Sequence, residues 1–409
     1  MNVDGPVVLV GGGLAAVRAA ETLRDEGFDG DLTLIAAEDE LPYERPPLSK
    51  GVLTGAEQRA VIFPHPDRSW FDERRIDLRL GRAVSAIDPT AQTVTIDGTE
   101  QLSYRRLLLA TGSSARRLPL PGADAANVFT LRTVADAEQL RAALASGDRN
   151  VVLVGAGWIG LEVASAAVGY GNRVTVVEPQ AQPLLAALGP DLGAFFAGLH
   201  REHGVSLLLG TGVAGFDTAE AGVSGVRTDA GQTLPADLVV VGVGARPNVE
   251  LAQAAGLTVD NGILTTAALQ TSDPSIYAAG DVANALNPFY GRPVRVEHWE
   301  NAQSSGPAAA KAMLGQAVSY DHLPFFFSDQ YDLGMEFTGL VDGADALVYR
   351  GDVGGREFIV FWTAGGRVIA GMNVNVWDVS EQIGALIRSG SVLDPAALAD
   401  PGVSLDELI

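Results

Sequence analysis

Short apolar runs alternate along the chain with glycine turns and helix-like stretches. The runs Val7–Val10 and Val151–Val154 each lead into a glycine-rich turn and then into small apolar residues. A further short run follows each presumed helix, Leu32–Ile35 in the first case and Arg173–Val177 in the second. Continuous apolar runs of this length, separated by helical stretches, are typical of buried parallel strands. The pattern therefore predicts two strand–helix–strand units of α/β type.

Each unit is predicted to close with another buried strand, Leu107–Ala110 in the first and Leu238–Val241 in the second. The short predicted strand Ser275–Asp281, which ends in a glycine and a carboxylate, lies too far beyond the second unit to belong to it, so we expect the first domain to resume near residue 245. Strand-like stretches after Leu323 and the helical stretch Ser380–Ser389 predict a small α+β domain. The fold class is thus α/β, with two Rossmann-like dinucleotide-binding domains and a C-terminal α+β domain. The predicted domains are 1–117 with 245–321, 118–244, and 322–409.

Both glycine turns match a dinucleotide-binding fingerprint. The first reads Gly11-Gly12-Gly13-Leu14-Ala15 and the second reads Gly155-Ala156-Gly157-Trp158-Ile159-Gly160. Glycines at such positions let the backbone approach a pyrophosphate, which then lies at the positive end of the following helix. One such turn alone is equally compatible with a structural role, but both copies stand between a predicted strand and a predicted helix. Together they predict two bound dinucleotides, one of which passes electrons to the other.

An acidic residue follows each fingerprint near the end of the next predicted strand. Glu38 comes after Leu32–Ile35, and Glu178 comes after Arg173–Val177. A carboxylate about 20 residues beyond the glycines is where the ribose hydroxyls of a dinucleotide bind. No lysine or arginine that could pair with a 2′-phosphate lies between Glu178 and His200. We therefore expect the second site to prefer NADH to NADPH.

Composition excludes several classes of function. The chain has 409 residues, enough for two or three domains, and its net charge of −22 argues against binding to nucleic acid or anionic membranes. It contains no cysteine, so electrons cannot pass to a redox-active disulfide within the chain. No apolar run approaches the roughly 18 residues of a membrane helix, and the N-terminus lacks the basic region of a signal peptide. We expect a soluble, cytoplasmic protein.

Lys50 is unusual because the chain uses arginine for nearly all of its basic residues. Only Lys50 and Lys311 are lysines among 28 basic residues, and Lys50 ends a proline-stiffened loop. A compact ammonium approaches a ring edge more easily than a guanidinium does, which favours a chemical role over that of an ordinary surface lysine. Glu162 follows the second glycine turn and is expected to meet Lys50 where the nicotinamide would face the other dinucleotide. There it would accept a hydrogen bond from the nicotinamide carboxamide, and pair with Lys50 when no nucleotide is bound.

Three aromatic or imidazole side chains, Trp158, His200 and His203, leave alternatives open. Trp158 lies inside the second glycine turn and is interpreted as a gate beside the nicotinamide, the alternative being packing against Ile159 and the helix. His200 and His203 are three residues apart in a predicted helix, but no third metal ligand is apparent. For these histidines a solvated helix face is the favoured interpretation. The sequence also contains no Walker loop, no GxSxG turn and no zinc-type Cys/His array.

These motifs resemble the flavin-dependent NADH–ferredoxin reductases that serve cytochrome P450 and ring-hydroxylating oxygenase systems, of the putidaredoxin reductase type. The resemblance covers nearly the whole chain. The proline–lysine loop and the Ser-Asp-Gln-Tyr-Asp stretch are its most selective marks, whereas the first glycine turn and Ala279-Gly280-Asp281 occur across a wider superfamily. The motifs are Gly11-Gly12-Gly13-Leu14-Ala15, Arg45-Pro46-Pro47-Leu48-Ser49-Lys50, Ala110-Thr111-Gly112, Leu131-Arg132-Thr133, Gly157-Trp158-Ile159-Gly160-Leu161-Glu162, Ala279-Gly280-Asp281 and Ser328-Asp329-Gln330-Tyr331-Asp332.

The resemblance implies FAD on the first fingerprint and NADH on the second, where the turn Gly242-Val243-Gly244 adds to the NADH site. Asp281, with Gly280, would hold the ribityl chain or the pyrophosphate region. The C-terminal domain would cover the flavin and form part of the ferredoxin-docking face. Phe327 stands where the family usually has tryptophan, which leaves the identity of the ferredoxin open. The residues that would line the flavin are Arg45, Lys50, Val84, Thr111, Arg132, Asp281 and Trp299.

The function predicted from these observations is transfer of electrons from NADH through FAD to a [2Fe–2S] ferredoxin. Flavin is needed because it joins two-electron and one-electron chemistry. One alternative is an NADH oxidase or peroxidase of the same fold, although such enzymes commonly use a redox cysteine. Another is an NADH-responsive binding protein similar to apoptosis-inducing factor. The expected partners are a ferredoxin and, through it, a cytochrome P450 or oxygenase, without a metal in the chain itself.

Overall fold

The computed structural model describes residues 5–220 and 222–409. Residues 1–4, on which the expectation about a signal peptide rests, lie outside the described residues. The chain divides into two compact units that interleave along the sequence. The first unit comprises Met1–Glu44, Arg59–Ser114 and Arg246–Pro324, and the second comprises Arg45–Gln58, Ala115–Ala245 and Phe325–Ile409.

The first unit is built around a parallel sheet of five strands among the described residues. Valine and leucine fill the strand Val7–Val10, which lies at its centre and is buried on both faces. Val7 and Leu9 belong to one apolar core, and Val8 and Val10 belong to the other, as the alternation of side chains along a strand requires. The strand order is Ile276–Ala278, Arg106–Leu109, Val7–Val10, Leu32–Ile35 and Ile76–Arg79.

Smaller elements complete the first unit. Two three-stranded sheets consist of Val84–Asp88 with Thr93–Ile96 and Glu100–Ser103, and of Ile263–Thr265 with Ala283–Asn287 and Arg292–Arg295. The helices are Leu14–Asp25, Ser69–Glu73, Glu250–Ala254 and Trp299–Met313, with 3₁₀ turns at Arg59–Ile62 and Gly280–Val282. The short strands Ser113–Ala115 and Ala245–Pro247 cover residues at which one unit ends and the other begins.

A second parallel sheet forms the first part of the second unit. Its order is Ser206–Leu209, Arg173–Glu178, Asn150–Val154, Leu238–Val241 and Val128–Phe129. A three-stranded sheet joins Val213–Ala219, Gly222–Thr228 and Thr233–Pro235. The helices of this part are Gly51–Thr54, Val134–Leu144, Trp158–Gly169, Leu185–Leu188 and Pro190–Glu202, and a 3₁₀ turn spans Pro46–Ser49.

An antiparallel sheet, here called the C-terminal sheet, forms the rest of the second unit. The helix Ser380–Ser389 packs on two of its strands, Leu333–Gly339 and Arg367–Val374, through Ile383, Leu386 and Ile387. Pro395–Ala399 and Leu405–Leu408 follow this helix. The strand order is Phe325–Gln330, Leu333–Gly339, Arg367–Val374, Glu357–Ala364 and Ala346–Asp352.

The predicted α/β class, with two Rossmann-like sheets and a C-terminal α+β region, is confirmed. The predicted helix Ser380–Ser389 has the bounds that the sequence indicated, and the strand Leu238–Val241 does too. The chain passes from one compact unit to the other near residues 114, 245 and 324. The segment Arg45–Gln58 also belongs to the second unit. Sequence patterning had not indicated that assignment, because a short proline-rich loop has no apolar periodicity that would link it to one sheet.

Candidate functional site

The first glycine turn forms a cradle at the carboxyl end of the strand Val7–Val10. Gly11 has φ +129°, and a Cβ atom there would lie 2.1 Å from the Ala110 carbonyl oxygen. At Gly13 a Cβ atom would meet nothing within 4 Å, so the space in front of this residue is open. The helix Leu14–Asp25, here called the first fingerprint helix, has no side-chain cap at Gly13. Its unpaired N–H groups and its dipole suit a pyrophosphate, so these residues fit a dinucleotide such as FAD.

Close packing fixes the start of the first fingerprint helix. A Cβ atom at Gly306, in the helix Trp299–Met313, would lie 2.3 Å from the carbonyl oxygen of Ala15, so only glycine fits there. Gly280 has φ +72°, and its N–H donates a 2.9 Å hydrogen bond to Ser305 Oγ. Asp281 follows in the 3₁₀ turn and is half-buried. The two predicted FAD residues Gly280 and Asp281 are therefore in the same unit as the first fingerprint.

The other residues predicted to bind FAD divide between the units. Glu38 lies beyond the strand Leu32–Ile35 and accepts a 2.6 Å hydrogen bond from the hydroxyl of Tyr43. Thr111 Oγ1 donates a 2.8 Å hydrogen bond to the Asn248 carbonyl oxygen. The first unit contains Gly11, Gly13, Leu14, Ala15, Glu38, Val84, Ala110, Thr111, Gly280, Asp281 and Trp299, and the second contains Arg45, Lys50 and Arg132.

Arg45 and Arg132 contact each other in the second unit. Arg45 Nη1 donates a 2.6 Å hydrogen bond to the Arg132 carbonyl oxygen, and the Arg132 N–H donates a 3.0 Å bond to Asp136 Oδ2. Thr133 caps the helix Val134–Leu144 in a reciprocal box with Asp136. The motif Leu131-Arg132-Thr133 therefore has a structural role as a helix start, and the role of Arg45 and Arg132 at a flavin stays a prediction.

The second glycine turn repeats the geometry of the first. Gly155 has φ +100°, and a Cβ atom there would lie 2.4 Å from the Gly242 carbonyl oxygen. A Cβ atom at Gly160 would lie 2.3 Å from the Gly155 carbonyl oxygen, whereas nothing lies within 4 Å at Gly157. The helix Trp158–Gly169, here called the second fingerprint helix, has no side-chain cap at Gly157. Gly244 has φ +94° and lies beyond the strand Leu238–Val241. These residues fit a second dinucleotide.

Glu178 is the last residue of the strand Arg173–Glu178 and is buried. Its Oε2 accepts a 2.7 Å hydrogen bond from the Ala156 N–H, and its Oε1 accepts a 2.9 Å bond from the Gln180 N–H. An ionised carboxylate has about four acceptor positions, so two remain for ribose hydroxyls. The carboxylate therefore fixes the glycine turn and can also bind a ribose.

A buried carboxylate with three side-chain donors lies on the second fingerprint helix. Glu162 is 4% exposed, and Lys50 Nζ lies 2.9 Å from its Oε1. Ser328 Oγ donates a 2.6 Å hydrogen bond to the same oxygen, and Ser49 Oγ donates a 2.5 Å bond to Oε2. These four residues are called the Glu162 cluster. The ion pair and two hydroxyl donors compensate for burial of the charge.

Asp329 lies beside the Glu162 cluster on the strand Phe325–Gln330. Burial raises the pKa of Asp329; Lys50 lowers it, and the neighbouring carboxylate of Glu162 raises it again. Lys50 Nζ also lies 5.2 Å from the centroid of the Phe327 ring, at cation–π distance. Lys50 therefore compensates for the negative charges of two carboxylates, those of Glu162 and Asp329.

Trp158 begins the second fingerprint helix and is half-buried. Its ring makes edge contacts with Phe196 at 5.5 Å and with Phe326 at 5.0 Å between centroids. Ile159 is 43% exposed. The structure thus provides packing partners for Trp158 other than Ile159, and its role as a gate stays a prediction.

The expectation for His200 was wrong. His200 is 0% exposed rather than part of a solvated helix face, and burial lowers its pKa to about 4. His203 is half-buried and stacks on the Tyr331 ring, with 3.6 Å between centroids. The helix Pro190–Glu202 packs here within the second unit, a tertiary contact that helical spacing alone could not reveal. Among the described residues, no group of three or more His, Cys, Asp or Glu side chains could hold a metal ion.

Sequence reasoning also missed Ser49 and Ser328 as donors to Glu162. Both were inside motifs that marked the family, but serine is common in turns and strands and carries no specific signal.

In the ranges 5–220 and 222–409, no helix is long and apolar enough to cross a bilayer.

Comparison with known proteins agrees with this geometry. Residues 5–306 match the pyridine nucleotide-disulphide oxidoreductase family, and residues 325–409 match the reductase C-terminal family. The ferredoxin–NAD(+) reductase component of the anthranilate 1,2-dioxygenase system of Burkholderia cepacia is 45% identical, with 99% of each chain covered. Putidaredoxin reductase of Pseudomonas putida is 39% identical, with 100% of this chain and 98% of the relative covered.

A solved structure of a related reductase also matches this chain over nearly its whole length. The covalent putidaredoxin reductase–putidaredoxin complex contains a chain that is 38% identical and superimposes with a TM-score of 0.95, over 99% of this chain and 98% of that one. The family's name refers to a disulfide, and this chain contains no cysteine. The chain belongs to the pyridine nucleotide-disulphide oxidoreductase family, as one of its FAD- and NAD-binding ferredoxin reductases.

Proposed function

We propose that this ferredoxin reductase takes electrons from NADH and delivers them, through FAD, to a [2Fe–2S] ferredoxin that serves a cytochrome P450 or a ring-hydroxylating oxygenase. The observation that carries the proposal is the Glu162 cluster, which places a buried ion pair just inside the uncapped N-terminus of the second fingerprint helix. FAD, when bound, supplies the change from two-electron to one-electron transfer. Relatives named as parts of dioxygenase systems and as putidaredoxin reductase support the choice of partner.

The chain's own residues bind and orient the nucleotide. The N–H groups at Gly157 and Trp158 face the pyrophosphate, and Glu178 accepts hydrogen bonds from the ribose hydroxyls. Glu162 accepts a hydrogen bond from the nicotinamide carboxamide, through an acceptor position that the cluster leaves open. Lys50 pairs with this carboxylate at 2.9 Å and so compensates for its charge.

The partner is supported by what the chain lacks and by what its relatives do. With no cysteine in the chain, a thiol cannot accept electrons here. One solved relative was captured with its ferredoxin partner, putidaredoxin. We place the protein in the cytoplasm, where NADH is available.

Reduction of cytochrome c with and without an added [2Fe–2S] ferredoxin tests the proposal. Purified enzyme with FAD and NADH should reduce cytochrome c slowly alone and at least tenfold faster with a matching ferredoxin. A panel of ferredoxins from P450 and dioxygenase systems identifies the partner class. If no member of the panel stimulates turnover, while oxygen consumption or a long-lived reduced flavin is seen, the ferredoxin proposal is wrong. An oxidase or an NADH-responsive binding protein would then be favoured.

A further inference from the structure

A chain of hydrogen bonds leads from Tyr331 to Glu162 through three buried side chains. Tyr331 Oη lies 3.0 Å from His200 Nδ1, and His200 Nε2 lies 2.9 Å from Gln330 Oε1. Gln330 Nε2 donates a 3.2 Å hydrogen bond to Ser328 Oγ, which donates its own proton to Glu162 Oε1 at 2.6 Å. His200, Gln330 and Ser328 are each 0–1% exposed. These five residues are called the relay.

The chemistry of the donors fixes the direction of every bond in the relay. A serine hydroxyl has one proton, and Ser328 gives it to the Glu162 carboxylate, so Ser328 must accept from the amide of Gln330. The carbonyl end of that amide then faces His200, whose Nε2 must carry the proton. Its Nδ1 is left as an acceptor for the Tyr331 hydroxyl. Burial lowers the pKa of His200 to about 4, which keeps the imidazole in this neutral form.

Ser328 and Tyr331 each form a hydrogen bond with a residue of the second fingerprint helix. Glu162 accepts from Ser328, and Ser165, one turn further along the helix, accepts a 2.9 Å hydrogen bond from the Tyr331 N–H. Tyr331 has φ +58°, a left-handed conformation that is unfavourable for a bulky residue. The bond to Ser165, the stacking on His203 and the bond to His200 maintain this conformation.

The hydrogen bonds of the relay and of the Glu162 cluster leave one hydrogen-bond acceptor position of Glu162 unfilled. Each carboxylate oxygen accepts about two hydrogen bonds. Lys50 and Ser328 fill Oε1, whereas Ser49 supplies one donor to Oε2. One position on Oε2 therefore remains for a ligand donor.

We propose that Ser328, Gln330 and His200 are positioning residues that hold Glu162 so that Oε2 presents a single acceptor to the carboxamide N–H of the nicotinamide. The inference rests on the proposed role of Glu162 as the carboxamide acceptor. Its consequence is selectivity: the site distinguishes a nicotinamide that carries an amide donor from an analogue that lacks one.

Calorimetric binding to the oxidised, FAD-loaded enzyme tests this without turnover. The two ligands are NAD⁺ and 3-acetylpyridine adenine dinucleotide, in which a methyl group replaces the amide nitrogen. A hydrogen bond to a charged acceptor contributes about 1.5–3 kcal/mol, so the wild type should bind NAD⁺ at least tenfold more tightly. Ser328→Ala should reduce this ratio by threefold or more, and Ser328→Thr, which keeps the hydroxyl, should restore it.

Two milder variants keep the test decisive if Ser328→Ala folds poorly. Gln330→Met removes the donor to Ser328, and Tyr331→Phe removes one hydroxyl at the far end of the relay. The ratio should fall with Gln330→Met and less with Tyr331→Phe. If Glu162→Ala abolishes the selectivity while the Ser328 and Gln330 variants keep the wild-type ratio, the positioning role is refuted and the role of Glu162 stands. If Glu162→Ala keeps the ratio as well, the carboxamide role of Glu162 is itself wrong.

Discussion

Glu178 Oε2 accepts a 2.7 Å hydrogen bond from the N–H of Ala156, so the end of one strand is joined to the glycine turn that follows the neighbouring strand. This carboxylate thereby fixes the backbone of the turn, and in the proposed function it also binds the ribose of the nucleotide. A phosphate on the ribose would meet a negative charge that cannot turn away without breaking two backbone hydrogen bonds.

We expect NADH to be preferred over NADPH because of this fixed charge. Comparison of kcat/KM for the two nucleotides should favour NADH by tenfold or more. Glu178→Gln should lower kcat/KM for NADH, because the amide leaves one backbone N–H without its acceptor. It should also reduce the ratio of kcat/KM for NADH to that for NADPH, because an uncharged amide does not repel the 2′-phosphate. Unfolding of Glu178→Gln should also cost about 1–3 kcal/mol less than that of the wild type. Equal use of both nucleotides by the wild type would refute the preference.

Lys50→Met should slow reduction of the enzyme-bound flavin by NADH at least tenfold, measured by stopped flow, while FAD stays bound. Loss of the ammonium leaves the buried Glu162 carboxylate with hydroxyl donors alone, and breaking a buried ion pair typically costs about 3–5 kcal/mol. The melting temperature should therefore fall as well. Lys311→Met is the matched control, because Lys311 is the other lysine and its side chain is 45% exposed. A wild-type rate in Lys50→Met would make Lys50 a structural residue.

Trp158→Ala should raise the apparent KM for NADH if the indole gates the nicotinamide site. The same change removes the edge contacts with Phe196 and Phe326, so a loss of stability on the order of 2 kcal/mol is expected in either case. Trp158→Phe keeps an aromatic ring and separates the two effects. A lower melting temperature together with an unchanged KM would identify Trp158 as a packing residue.

Acid should destabilise the protein through His200. Its pKa is lowered to about 4 in the folded chain from an ordinary value of 6.5, so the unfolded chain takes up the proton first as pH falls. The free energy of unfolding should decrease by up to about 1.4 kcal/mol per pH unit from this group between pH 6.5 and 4. His200→Gln should flatten the dependence of melting temperature on pH across that range. His298, whose pKa burial also lowers to about 4, remains as a background in both proteins. Parallel curves for wild type and variant would contradict the assignment.

Phe327→Trp should change the choice of ferredoxin. The substitution adds an indole N–H beside Lys50, which now lies 5.2 Å from the phenyl ring. We expect kcat/KM for a putidaredoxin-type ferredoxin to rise threefold or more, while reduction of ferricyanide by NADH is unchanged. The aromatic position has no role in partner choice if the order of ferredoxins in the panel stays the same.

The apolar runs and glycine turns of the sequence determined the two parallel sheets and both dinucleotide fingerprints. These features are local, since a strand, its glycine turn and the start of its helix are adjacent in the chain and follow from short-range sterics. The scarcity of lysine indicated a chemical role for Lys50, and the position of Glu162 just after the second glycine turn indicated that it lies near the nucleotide site. The absence of cysteine excluded a disulfide within the chain as the electron acceptor.

Only the tertiary structure decided what surrounds Glu162. Ser49 and Ser328 lie 113 and 166 residues from it along the chain, and no periodicity relates such distant positions. His200 was misjudged for the same reason, since helical spacing cannot show which neighbouring element covers a polar side chain. Because a buried polar group must find its hydrogen-bond partners within the protein, the buried serine, glutamine and histidine side chains bond to one another in fixed directions.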